Sequence, residues 1–162
     1  MPMSDYFSRI RAKVGHELLV APSVTGIIYD EKNRILLLRH IEGNIWVAPG
    51  GSVEPNEDPV DTVIREVWEE AGLWVEPYKI LGVFGGKEFE ITYQNGDQVT
   101  YVMTVYACKV QSGTLEADGV ETLQAGYFSK EEIMQLKTPP WISVILPCVF
   151  ENFREVYFRR HK

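Results

Sequence analysis

Glu66, Glu69 and Glu70 stand at i, i+3 and i+4 in a stretch that reads as a helix. At about 100° per residue they fall within an arc of roughly 100° on one side of it. Carboxylates that close repel one another and raise one another's pKa values unless a cation sits between them. Hard oxygen ligands of this kind suit Mg2+ or Mn2+, not zinc. Neither a Cys/His cluster nor a Ser-His-Asp spacing is apparent. An acidic helix face taken alone is most often simply solvated, so the surroundings of the three acids decide between the two readings.

The helix that must carry them spans residues 58–71. Asp58 suits the N-cap, Pro59 the first helical position and Gly72 the left-handed stop. Val60, Val63, Ile64, Val67 and Ala71 recur at helical spacing, an apolar stripe that the acids flank rather than oppose. A stripe of that kind packs on a sheet, and strands are expected over residues 18–29, 34–39, 75–84, 88–93, 98–110 and 121–128. The turn at 30–33 separates the first two, and Asn95-Gly96 makes a tight hairpin. The strand over 98–110 is apolar on both faces and should be central. Helices are expected at 4–14, at 130–135 and at 141–159, the last bent or restarted at Pro147. Strands mixed with helices on both faces give a three-layer α/β/α domain.

The 162 residues, 45% apolar and 24% charged, suffice for one domain over 1–162 with its own core. A balance of 16 Lys and Arg against 23 Asp and Glu gives −7 at pH 7. That sign argues against a general nucleic-acid binder or an acidic-membrane binder. Two cysteines, Cys108 and Cys148, both in apolar stretches, exclude a secreted disulfide scaffold and suit a reducing cytoplasm. The N-terminus has no signal-peptide run, and no apolar run approaches a bilayer span. A soluble intracellular domain is expected.

Residues 51–73 carry a denser pattern. Gly51 is followed by Glu57, then Arg65-Glu66-Val67, Glu69-Glu70 and Gly72-Leu73. This matches at every position the Nudix box, G-x5-E-x7-R-E-U-x-E-E-x-G-U with U apolar. Seven fixed residues coincide by chance at about one in 10⁸ to 10⁹ per start point. The chain therefore resembles a Nudix hydrolase, of the MutT-like kind. The resemblance implies an α/β Nudix fold, a mixed sheet between helices, and a divalent-metal-dependent pyrophosphohydrolase acting on a nucleoside diphosphate linked to a group X. MutT-like spacing points first to a nucleoside triphosphate, modified or not, with ADP-ribose or a nucleotide sugar as the alternative. A catalytically silent nucleotide-binding regulatory domain is the alternative from another class, and the three intact carboxylates argue against it.

Carried over residue by residue, the resemblance makes Glu69 and Glu70 metal ligands and Glu66 a ligand or the general base. The Gly50 carbonyl would be a further ligand for Mg2+ or Mn2+, with Gly51 allowing close approach of the backbone. Glu57 and Arg65 would form the structural pair of the box, and Gly72 would close its helix. Members often recruit one more acid, for which Glu121 is the candidate and Glu116 and Asp118 are rivals. Arg39 and Trp46 are candidate substrate-binding residues. Arg39 would reach a phosphate or base, or else make a surface salt bridge, and Trp46 would stack on a base or pack beneath the loop. Gly85-Gly86-Lys87 reads as a turn, Trp141 and Phe150 as core, and His16, His40 and His161 receive no role. A homodimer through either terminal helical segment remains open.

Overall fold

The chain runs through α1 (Asp5–Val14), β1 (Leu19–Ile28), β2 (Ile35–His40), β3 (Ile45–Val47), β4 (Gly50–Ser52) and α2 (Pro59–Ala71). It continues through β5 (Leu73–Phe84), β6 (Glu90–Thr92), β7 (Gln98–Gly113), β8 (Thr122–Phe128), α3 (Lys130–Ile133) and α4 (Pro140–Phe150). This computed structural model describes residues 5–151 and 155–157.

Two sheets form. One is mixed, in the order β4-β1-β7-β5 with β6 also on β7, and β1 and β7 lie parallel at its centre. The other is antiparallel, in the order β3-β2-β8. The expected single mixed sheet is thus divided: β1 and β2 meet only at the Tyr29–Ile35 bridge and then diverge. β7 is central for the reason its sequence offers, since Met103, Val105 and Ala107 enter one core while Tyr106 and Cys108 enter another.

Those two cores lie on opposite sides of the strands. Val24, Ile28, Leu36 and Leu38 pack with Val63, Val67 and Ala71 of α2. Ile27, Ile35 and Leu37 pack with Ile133, Trp141, Ile142 and Ile145 of α3 and α4. Three layers result. Asp58 caps α2 by accepting from the Val60 amide, and Gly72 closes it at φ 66°. Among the described residues no helix is long and apolar enough to cross a membrane.

Several boundaries differ from expectation. The region expected as a strand over 88–93 begins with a 3-10 turn, Lys87–Phe89, because Phe89 turns into the core and leaves only Glu90–Thr92 to pair with β7. The C-terminal helix expected over 141–159 ends at Phe150, passing through Pro147 instead of breaking there. It stops because the following chain is extended at Glu151 and Tyr157 bridges Gly82, its amide donating to the Leu81 carbonyl. Residues 152–154 and 158–159 of that expected helix lie outside the described residues, as does Ser4 of the first. α1 forms as expected but has no fully buried residue.

Candidate active site

Glu66 and Glu70 sit one turn apart on the face of α2 that meets the sheet, 0% and 3% exposed. What they meet is the Gly50-Gly51 strand. The Gly50 amide donates to Glu70 Oε2 at 2.9 Å. A Cβ on Gly51 would collide with the Glu66 carboxylate, and one on Gly50 with the Val24 carbonyl. Only glycine lets β4 lie between β1 and the helix this tightly.

Arg65 organises the outer side of the cluster. Its Nε and Nη2 donate to the two carboxylate oxygens of Glu57 at 2.8 and 3.0 Å, a bidentate fork. Its Nη1 donates to Glu66 Oε1 at 2.9 Å and to Glu69 Oε2 at 3.1 Å. The Glu57 carboxylate also accepts from the Glu54 amide, folding the loop before α2 back onto the helix. The arginine contact holds the Glu57 pKa down at about 2.

Burial acts the other way on the inner acids. It pushes Glu66 up to about 7 against the pull of Arg65, and raises Glu70 well above the ordinary range. The Gly50 amide partly offsets the rise at Glu70, while the charges of Glu66 and Glu121 add to it. Among the described residues, Glu66 Oε2 is buried with no hydrogen-bond partner. These are acids that would gain from a cation, and an orphaned carboxylate oxygen fits a hard divalent metal. Among the described residues no three acid, His or Cys side chains already form a cage. Arg65 stands between Glu66 and Glu69, so closing on a metal requires Glu69, the exposed member of the three, to leave Arg65.

Glu121 precedes β8 within electrostatic reach of Glu70, and the buried Thr122 hydroxyl beside it donates to the Glu70 carbonyl. One of its rivals is otherwise occupied. Asp118 Oδ1 accepts from the amides of Val120, Glu121 and Thr122 and from the Thr122 hydroxyl, which makes it a loop organiser. Glu116 is exposed and is held by its amide to the Ala71 carbonyl.

Arg39 and Trp46 are cross-strand partners on β2 and β3. Trp46 packs edge-to-face on Phe128, ring centroids 4.8 Å apart, against the α3–α4 core, so the packing geometry is present. Arg39 Nε is buried without a hydrogen-bond partner among the described residues. His40, given no role from sequence, lies with Nε2 3.6 Å from Glu70 Oε1, beyond hydrogen-bond reach, and burial lowers its pKa. The parity of β2, which sends His40 toward α2 and Arg39 away, was the only sequence signal for it. Gly85-Gly86-Lys87 leads into the 3-10 turn at Lys87–Phe89, with Gly86 at φ 103°.

The described geometry can be set beside known proteins. A NUDIX domain model matches residues 19–147. The chain is 32% identical over 113 residues to a "MutT-like protein" of Streptomyces ambofaciens, covering 70% of this chain and 66% of that one. It is 30% identical over 126 residues to "Putative ADP-ribose pyrophosphatase YjhB" of Bacillus subtilis, covering 75% of this chain and 58% of the relative. It thus spans less than two thirds of the length of either. A crystal structure of an ADP-ribose pyrophosphatase from Streptococcus suis aligns with a TM-score of 0.64 at 23% identity, over 86% of this chain and 96% of that one. With a family model matched over most of its length and an unbroken box built into α2, this chain belongs to the Nudix family.

Proposed function

We propose that the protein is a divalent-metal-dependent pyrophosphohydrolase cleaving a nucleoside diphosphate linked to a group X. The observation that carries this is the inner carboxylate pair: Glu66 and Glu70 are buried and raised in pKa at the edge of a glycine strand, and among the described residues Glu66 Oε2 has no hydrogen-bond partner. Such a pair is costly to a protein that makes no use of it.

Glu69 and Glu70 would hold Mg2+ or Mn2+, with the Gly50 carbonyl as a further oxygen donor and Glu66 as either a third ligand or the general base. The bound ion would polarise the phosphate oxygens and make an attacking water more acidic. Everything else falls to the chain. Where Glu66 is not a ligand, its Oε2, which has no hydrogen-bond partner among the described residues, accepts the proton of the water that attacks phosphorus; Glu121 is the rival for that role. As the new P–O bond forms, the anhydride P–O bond breaks, and its oxygen leaves on the second phosphorylated product. Glu57, Arg65, Gly51 and Gly72 support the box without touching substrate. Arg65 holds Glu69 in place when no cation does.

For the substrate, MutT-like spacing and the MutT-like relative favour a nucleoside triphosphate, modified or not. ADP-ribose is the second reading, favoured by the names of the Bacillus relative and the Streptococcus structure. Cys108 and Cys148, both buried and unpaired, suit work in the reducing cytoplasm.

The test is product release from nucleoside triphosphates, 8-oxo-dGTP, ADP-ribose, dinucleoside polyphosphates and nucleotide sugars, with Mg2+, Mn2+ or EDTA. One substrate turned over at about 10⁴ M⁻¹s⁻¹ or more in kcat/KM, and silenced by EDTA, is expected. Binding without turnover across the panel would instead indicate the silent, regulatory reading.

A further inference from the structure

The side chains of β2 alternate between the two cores, and toward α2 the series runs Leu36, Leu38, His40. Its third place holds an imidazole where the alternation calls for an apolar group. The His40 side chain is only 22% exposed, and among the described residues its Nε2 is buried with no hydrogen-bond partner. A ring nitrogen left that way is unfavourable, because it loses water and gains nothing in return. What Nε2 faces is Glu70 Oε1, 3.6 Å away.

A bulge serves this placement. Between β2 and β8 the pairs Arg39–Gln124 and His40–Thr122 skip Leu123. Leu123 is left 48% exposed, and the buried Thr122 comes opposite His40. Bulges of this kind re-aim side chains beside sites. Thr122 donates its hydroxyl to the Glu70 carbonyl at 3.2 Å, and the Ile41 amide donates to the Glu121 carbonyl at 2.9 Å, fixing the end of β2 to the start of β8. Glu70 is thus addressed from three sides. Thr122 takes its carbonyl, the Gly50 amide takes Oε2 at 2.9 Å, and His40 faces Oε1. A carboxylate only accepts, so the nitrogen that pairs with it must be the one carrying hydrogen. Glu121, Asp118 and Glu42 also lie within electrostatic reach of the ring, surroundings that suit a donor. Hydrogen bonds around reacting groups are often long in the unliganded enzyme and tighten in the working complex.

We propose that His40 is a positioning residue of the metal site: its Nε2–H holds Glu70 Oε1 and sets the direction from which that carboxylate meets the cation. This rests on the divalent-metal reading above. Groups that hold a ligating carboxylate from behind act on metal affinity through its orientation, without touching the substrate.

The test uses the full chain as wild type, His40→Asn and His40→Gln. The glutamine amide reaches about where Nε2 stands, whereas the shorter asparagine amide ends nearer Nδ1. Mn2+ alone, titrated without nucleotide and followed by electron paramagnetic resonance, reads affinity; turnover of the best nucleotide against Mg2+ reads activation, with KM taken at saturating Mg2+. His40→Asn is expected to weaken Mn2+ about 10-fold or more and to raise the half-activating Mg2+ by the same factor, with nucleotide KM within about threefold. His40→Gln should recover most of the loss. In a Glu70→Gln background, His40→Asn should weaken Mn2+ no further, which a general disturbance of the fold would not reproduce. Unchanged Mn2+ affinity in His40→Asn, or the same loss on top of Glu70→Gln, would overturn the proposal. So would equal losses in both His40 variants, which would assign the imidazole to the metal itself, or a loss confined to nucleotide KM, which would assign it to the substrate. Wild type that binds Mn2+ and turns over no nucleotide would overturn the hydrolase reading while the resonance titrations still decide His40; wild type that binds no Mn2+ overturns both.

Discussion

Glu57 and Arg65 make a bidentate pair across the loop that precedes α2. The folded-state pKa of Glu57 is about 2, against an ordinary 4.5. A depressed carboxylate contributes its stability above the unfolded value and loses it as pH falls through the folded one. The pair should therefore act fully above about pH 4.5 and vanish toward pH 2. Glu57→Gln is expected to cost about 1–2 kcal/mol at pH 7, after discounting for screening, and to flatten the acid limb of the stability curve below pH 4.5. Denaturant midpoints from pH 2 to 7 check this, and parallel curves for the two proteins would count against it. Glu66 behaves in the opposite sense, since burial raises it to about 7. With EDTA at pH 8, Glu66→Gln should stabilise the protein by about 1–3 kcal/mol, and with Mg2+ present the same variant should lose turnover. A variant less stable than wild type under those conditions would show that the ionised acid has a structural role.

At the scale of elements, α2 was legible almost to the residue. Asp58, Pro59 and Gly72 are local signals whose physics needs no tertiary partner. Gly72 at φ 66° also brings its Cα hydrogen to the Thr114 carbonyl, which a Cβ would approach to 2.8 Å. Gly72→Ala should cost about 1–2 kcal/mol in urea denaturation, from the left-handed backbone and that contact together. Gly51→Ala should leave the fold intact yet displace the Glu66 carboxylate, lowering kcat at least about 10-fold; circular dichroism with steady-state kinetics separates the two effects. The end of α4 was not legible, because it is set by Tyr157 docking beside Leu81 and Gly82, some 75 residues earlier in the chain. The 3-10 turn at Lys87–Phe89 escaped for a related reason: Phe89 is drawn into a core that alternation along one segment does not reveal.

Across the whole molecule, the class of fold and the three acids could be read from one short box. Their partners could not. His40 lies 3.6 Å from Glu70 because Leu36 and Leu38 of β2 pack in one core with Val63 and Val67 of α2. Trp46 similarly finds Phe128 through the pairing of β2 with both β3 and β8. With three acids drawn together on a chain of net charge −7, a divalent cation should stabilise the fold. Mg2+ at 100 times its Kd is expected to add about 2.7 kcal/mol, seen as a rise in melting temperature that EDTA reverses and Glu70→Gln lacks. The central claim, that the α2 carboxylates drive phosphoric anhydride hydrolysis through a bound divalent cation, is tested most directly by one comparison. Hydrolysis of the best nucleotide by wild type and Glu70→Gln would be followed as Mg2+ is titrated from zero. Saturable Mg2+-dependent turnover in wild type, with a loss of about 10²-fold or more in the correctly folded variant, is expected. Equal turnover by both proteins, or turnover that ignores Mg2+ and survives EDTA, would contradict the assignment.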